Sequence, residues 1–327
     1  MNKLLKNIRF LLESCAVILF YGVVKIMPRC ILCLTAEISG RIMYILPGFK
    51  KIPIANLKTV FPDYDKRKIN NIAKKSFVNL AKTVLELFWF SNSPARLNKY
   101  TAISPKCQKM IDEHIRKHEN IIFVTPHLGN WEATGLKMAV SSGLDFAAIV
   151  RPPRNPFLNR LVKSSRSAFG TDIIEAKGAG KDMLKALKAG KSMATLIDQN
   201  TRVRDGGVFV NFAGLPVPSS RAPAIFTRRT NVKLYVGGGV RNENGVITTF
   251  SEPLPKPESE YTDEQDIIQD LMTITEKYIR RYPEQYLWFY KRFQYIPRDA
   301  DDTLKARYPY YSSIASDKFY HKQKHKE

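Results

Sequence analysis

The run Ile121-Ile122-Phe123-Val124-Thr125 constrains this chain more than any other feature. It is apolar, rich in β-branched residues, and bounded by Asn120 and Pro126. Five residues are too few for a buried helix. An apolar run with no alternation predicts a strand covered on both faces. Further runs of this kind fall at 146–150, 192–197, 232–236 and 246–250. Helical periodicity falls between them, over 63–90, 111–117, 130–141, 156–169, 180–189 and 265–281. Strands alternating with helices predict an α/β fold, a central sheet flanked by helices.

The text that follows the first strand is Pro126-His127-Leu128-Gly129-Asn130-Trp131-Glu132. Ligand and catalytic sites of open α/β sheets lie at such strand ends. Residues five apart in one helix point about 140° apart. His127 is therefore expected in the turn and Glu132 in the first turn of the helix, where the carboxylate can hold one imidazole nitrogen. The other nitrogen is then a general base. No G-x-S-x-G accompanies the pair, so the base is expected to act directly on an incoming hydroxyl. The spacing by itself is weak evidence, and a histidine capping the helix fits it too.

Charge narrows the partners. Lys plus Arg number 52 against 30 Asp plus Glu, a net charge of +22. That predicts anionic company: nucleic acid, anionic lipid, or an acidic protein or substrate. The basic residues are spread along the chain, and no nucleic-acid-binding motif accompanies them. Cys30 and Cys33 form a lone C-x-x-C with no second pair and no nearby histidine, which argues against zinc, and no other metal set is expected. A non-catalytic lipid-binding module of the same fold remains open on these residues.

Residues 1–46 carry an uncharged apolar stretch from Ser14 to Val24, then a second from Cys30 to Ala36. The first is shorter than the ~20 residues needed to span hydrocarbon. A cleaved signal peptide, a buried helix and a retained interfacial anchor all fit. The second apolar stretch and the missing small-x-small site favour the anchor. The expected organisation is a membrane-anchoring segment at 1–46, a catalytic domain at 47–300, and a polar basic tail at 301–327, partly disordered.

The block from Thr125 to Glu132 resembles the H-x4-D/E motif of the lipid A late acyltransferases of Gram-negative envelopes. Other blocks agree in order: Val150-Arg151-Pro152 with Asn155-Pro156; Asp198-Gln199-Asn200 with Gly206-Gly207-Val208-Phe209; Ala222-Pro223-Ala224; and Tyr282-Pro283-Glu284-Gln285-Tyr286-Leu287-Trp288-Phe289-Tyr290-Lys291-Arg292-Phe293. The likeness covers about residues 5–296. Ala213 stands where the family commonly has an aromatic, so an altered pocket wall is expected there.

The resemblance implies a glycerolipid-acyltransferase-like fold with a mixed sheet. It also implies transfer of a fatty acyl chain from acyl carrier protein to a hydroxyl of a lipid A precursor. His127 would be the base and Glu132 its orienting carboxylate. Backbone amides at Gly129 and Asn130 would hold the oxyanion. The donor is a phosphopantetheine thioester, and no resident cofactor is implied. Arg151 is a candidate phosphate clamp or a solvated surface arginine. Arg166 and Arg221 are further phosphate contacts, and Asn155 and Gln199 are further substrate contacts. Asp198 could hold Arg151, touch substrate or cap a turn. The implied location is the cytoplasmic leaflet of the inner membrane, with the catalytic domain on the cytoplasmic side and no nucleic acid involved. A sister branch of the family acylates other glycolipids, such as mannosylated phosphatidylinositol, and that alternative stays open.

Overall fold

The computed structural model describes residues 3–153, 155–175 and 178–321. Helices α1 (Lys3–Ile26) and α2 (Arg29–Ile45) come first, broken at Met27-Pro28. Proline lacks the N–H that would continue a helix, which explains the break. Next come α3 (Lys51–Val60), α4 (Lys66–Phe90), α5 (Pro94–Tyr100), β1 (Thr101–Ile103) and α6 (Pro105–Arg116). The parallel units are β2 (Ile121–Thr125), α7 (Trp131–Ser141), β3 (Phe146–Val150), α8 (Pro156–Arg166), β4 (Asp172–Glu175), α9 (Ala179–Lys188) and β5 (Ser192–Leu196). A hairpin of β6 (Gly207–Phe212) and β7 (Leu215–Ser220) precedes α10 (Ala222–Thr230), β8 (Lys233–Arg241), β9 (Ile247–Pro253) and α11 (Glu264–Arg281). The chain closes with β10 (Tyr295–Ile296), α12 (Asp302–Ala306), β11 (Ser313–Ile314) and α13 (Asp317–Tyr320).

Seven strands form one sheet in the order β1-β9-β8-β2-β5-β3-β4. The run from β8 to β4 is parallel, while β9 is antiparallel to β8 and pairs parallel with β1. The sheet is mixed, as expected. All five residues of β2 are buried. Ile121 and Phe123 pack with Cys107 and Ile111 of α6 and Met138 of α7. Ile122 and Val124 belong to the main core with Met183, Leu187, Phe226 and Leu271. A strand with apolar neighbours on both faces has no polar face to alternate with, which accounts for its unbroken sequence.

The amino-terminal pair is packed on the body rather than set apart from it. Val24, Leu32 and Ala36 share a core with Phe88, Trp89 and Leu97, and with Ala133 and Leu136 of α7. The opposite side of α2 leaves Ile31, Leu34, Ile38, Ile42 and Ile45 exposed at helical spacing, continuous in kind with Ile18, Leu19, Val23 and Ile26 of α1. Among the described residues, no helix is long and apolar enough to cross a membrane.

The segment 301–321 is packed, because Tyr308, Ala315 and Phe319 are buried and β11 pairs with β10. The polar composition concealed these three anchors; residues 322–327 lie outside the described residues. Contrary to expectation, Ala213 does not line the cavity that holds His127. It occupies the β6–β7 turn with φ 54°, next to Gly214 at φ 76°. A left-handed residue followed by glycine suits a tight hairpin turn.

Candidate active site

The site grows from strand register. Thr125 at the end of β2 pairs with Leu196 at the end of β5. His127 and Asp198 each lie two residues beyond those partners, so parallel pairing carries them to the same edge. Asp198 Oδ2 accepts the backbone N–H of His127 at 2.9 Å, and Oδ1 accepts its ring Nδ1–H at 2.8 Å. This fixes the tautomer and leaves Nε2 as the basic nitrogen. Asp198 is 3% exposed and sits beneath the imidazole. The buried Tyr286 and Arg292 side chains flank it.

Burial opposes a charge on His127, but the Asp198 carboxylate and its hydrogen bond outweigh it and hold the imidazole pKa above its ordinary value. Burial likewise opposes the Asp198 charge, and His127 and Arg292 hold that carboxyl below the usual range. Arg292 reaches Asn200 Oδ1 and the Pro218 carbonyl, each at 2.8 Å, which fixes the strand-end loop after Asp198.

The turn from Pro126 to Asn130 is held from every side. The amide of Leu287 donates to the His127 carbonyl at 3.0 Å. Asn79 and Thr83 of α4 donate to the Gly129 carbonyl at 2.8 and 3.1 Å. Gly129 has φ +63°, and a Cβ there would lie 1.8 Å from the Gly239 carbonyl oxygen. Only glycine fits that approach. Asn130 caps α7, its Oδ1 accepting from Ala133 N at 2.8 Å, while its Nδ2 donates to Glu86 at 2.5 Å.

Glu86 is fully buried and is also bound by Arg241, at 2.9 and 2.5 Å, and by Arg29 at 2.5 Å. Burial would push this carboxyl up; the two guanidinium groups outweigh that and hold it low. One buried carboxylate thus joins α2, α4, β8 and the cap of the site helix.

Glu132 does not hold His127. Its carboxylate forms a two-pronged pair with Arg166 at 2.9 and 2.5 Å, and Trp131 Nε1 donates to it at 3.2 Å. The orienting place expected for Glu132 belongs to Asp198, because β2–β5 pairing brings Asp198 under the ring while α8 delivers Arg166 to Glu132. The Trp131 ring meets His127 edge-on at 5.0 Å between centroids. Gln199 Nε2 lies 3.5 Å from His127 Nε2.

The remaining candidates divide. His127, Glu132, Arg151, Arg166 and Gln199 all line one cavity of about 1260 Å³. Arg151 is exposed at its rim. The expected oxyanion amides are corrected: Gly129 N donates to the Gln285 carbonyl at 2.9 Å and Asn130 N to the Gly239 carbonyl at 2.8 Å. Both donors are spent on holding the turn. Asn155 is a helix cap, accepting from Phe157 N and Leu158 N, and not a cavity residue. Arg221 stands outside the cavity, 3.8 Å from Glu264. Asp198 is too deeply buried to meet substrate.

Sequence reasoning missed Glu86, Asn79, Tyr286 and Arg292 as parts of the site's frame. A glutamate inside Val84-Leu85-Glu86-Leu87-Phe88 was the visible signal for the first.

The pattern of the family described as bacterial lipid A biosynthesis acyltransferase matches residues 2–295. The chain belongs to that family. A lipid A biosynthesis acyltransferase of Haemophilus influenzae is 25% identical over 292 residues, covering 84% of this chain and 90% of that protein. A lipid A biosynthesis lauroyltransferase of Escherichia coli K12 is 23% identical over 256 residues, covering 76% and 79%. Membership makes this protein an acyltransferase of lipid A biosynthesis, with His127, Glu132 and Arg166 gathered in one cavity.

Proposed function

We propose that the protein moves a fatty acyl chain from the phosphopantetheine thioester of acyl carrier protein to a hydroxyl of a lipid A precursor, with His127 as general base. The observation that carries this is the imidazole itself. Nδ1–H is committed to Asp198, while the ring lines the cavity beside Gln199. Nε2 takes the proton of the acceptor hydroxyl as its oxygen attacks the thioester carbonyl. The C–S bond breaks, and the departing thiolate takes the proton back from the imidazolium. No covalent enzyme intermediate and no resident cofactor is needed. Asp198 stabilises the imidazolium. The Glu132–Arg166 pair presents a polar wall, and Arg151 offers a guanidinium at the rim for a phosphate of the acceptor.

The other end of the cavity is apolar, lined by Phe123, Met138, Phe146 and Ala194, and suits the hydrocarbon chain. The exposed apolar stripe of α1 and α2, on a chain of net charge +22, supports interfacial attachment to an anionic leaflet. Because the acyl carrier donor is cytosolic, that leaflet is the cytoplasmic face of the inner membrane.

Purified protein with acyl carrier protein thioester and phosphorylated acceptor tests the reading. His127→Ala should cut product formation by about 10²–10⁴-fold. Unchanged turnover would remove His127 from the reaction. Mass spectrometry of lipid A from cells with and without the protein identifies the chain added and its position.

A further inference from the structure

Gly135 stands in the interior of α7, one turn past Glu132. Glycine there is unfavourable, since it loses more backbone freedom than alanine on entering a helix. Packing does not require it: a Cβ at this position meets nothing within 4 Å. Nor is it among the positive-φ glycines. What distinguishes it is placement. Gly135 is exposed and lines the cavity.

Glu132, Gly135 and Met138 follow at intervals of three along one face of α7, and all three line the cavity. Each step advances about 4.5 Å along the helix axis. Gly135 therefore lies between the polar end, marked by His127, Glu132 and Arg166, and the apolar end, marked by Phe123, Met138 and Phe146.

We infer that Gly135 determines acyl-chain specificity: its missing side chain leaves bare the stretch of wall along which the hydrocarbon runs from the reacting carbonyl to the apolar end. This rests on the acyl-transfer reading above. A side chain at 135 projects into the path and shortens the chain that can be accepted.

The full-length protein with Gly135→Ala or Gly135→Leu tests this against acyl carrier protein donors from octanoyl to palmitoyl. The Leu variant should lower the palmitoyl-to-octanoyl ratio of kcat/KM by about 10-fold or more. Gly135→Ala should raise Tm by about 1–3 °C, because alanine is the better helix former. An equal loss at every chain length, or an unchanged ratio with Leu, overturns the inference. A lowered Tm with Ala overturns it as well, since it would reveal a structural glycine.

Binding of palmitate and octanoate, read by fluorescence of the cavity-lining Trp131, supplies an arm that needs no turnover. The Leu variant should lose palmitate binding selectively. If wild-type protein transfers no acyl chain yet shows this selective loss, the reaction assignment fails and the role of Gly135 stands. Palmitate binding equal in wild type and Leu variant sinks it.

Discussion

Asp198 grips His127 twice, accepting its backbone N–H on one carboxylate oxygen and its ring Nδ1–H on the other. A histidine held at its backbone and at its ring has one ring orientation and one tautomer. Asp198→Asn keeps the shape but replaces the charge. Turnover should fall by about 10²–10⁴-fold, within the range of general base catalysis. The wild-type acid limb should lie above the ordinary imidazole pKa, and rates should rise with pH through it, since the base acts when neutral. In the Asn variant that limb should move to lower pH. A pH–rate profile of kcat/KM checks both; a limb that does not move would show that Asp198 does not set the imidazole.

The same pair makes a stability prediction. The raised folded-state pKa of His127 means that its contribution is complete below the unfolded value near 6.5 and is lost as pH rises through the folded value. The difference in Tm between wild type and His127→Gln should therefore shrink from pH 6 to pH 9. A difference that grows would reverse the sign argued for the pair.

Glu86 is the buried hub of Arg29, Arg241 and Asn130. Removing its charge leaves two guanidinium groups desolvated without a carboxylate. Glu86→Gln should cost about 3–5 kcal/mol. Denaturant unfolding measures it, and a cost near zero would mean that water already serves these groups.

Glu132 and Arg166 should act as a unit. In a double-mutant cycle on kcat/KM with Glu132→Gln and Arg166→Lys, the coupling should reach about 1 kcal/mol, within the range for directly bonded residues. Additive effects would show that the two work separately. Arg166→Lys alone should be damaging, because lysine cannot reproduce the two-pronged contact.

Gly129 and Gly206 both have positive φ, at +63° and +89°, but only the first faces backbone, the Gly239 carbonyl. Gly206→Ala should cost about 1–2 kcal/mol from conformation alone. Gly129→Ala should cost clearly more and distort the catalytic turn. Equal costs in denaturant unfolding would deny that close packing of the turn matters.

Much of the architecture was legible in the sequence. The run Ile121–Thr125 is β2 residue for residue, and the helix expected from 130 is α7 with Asn130 as its cap. The hairpin of β6 and β7 was less legible, because Pro216 and Pro218 read as strand breakers. Only the register places them opposite Asn211 and Phe209, whose backbone groups bond Gln269 and Gln265 instead, so the ladder needs no N–H from either proline. The packing of 301–321 was not legible, because three buried residues carry it among many polar ones.

What the sequence determined by itself was local: the element types, the place of His127 at a strand end, and Glu132 in the helix behind it. Which carboxylate serves which partner was decided by the tertiary structure. Asp198 reaches His127 across 71 residues of chain, and Arg166 reaches Glu132 across 34. Helical and strand periods are properties of consecutive residues, whereas these pairings follow from strand register and helix placement. No local pattern encodes them.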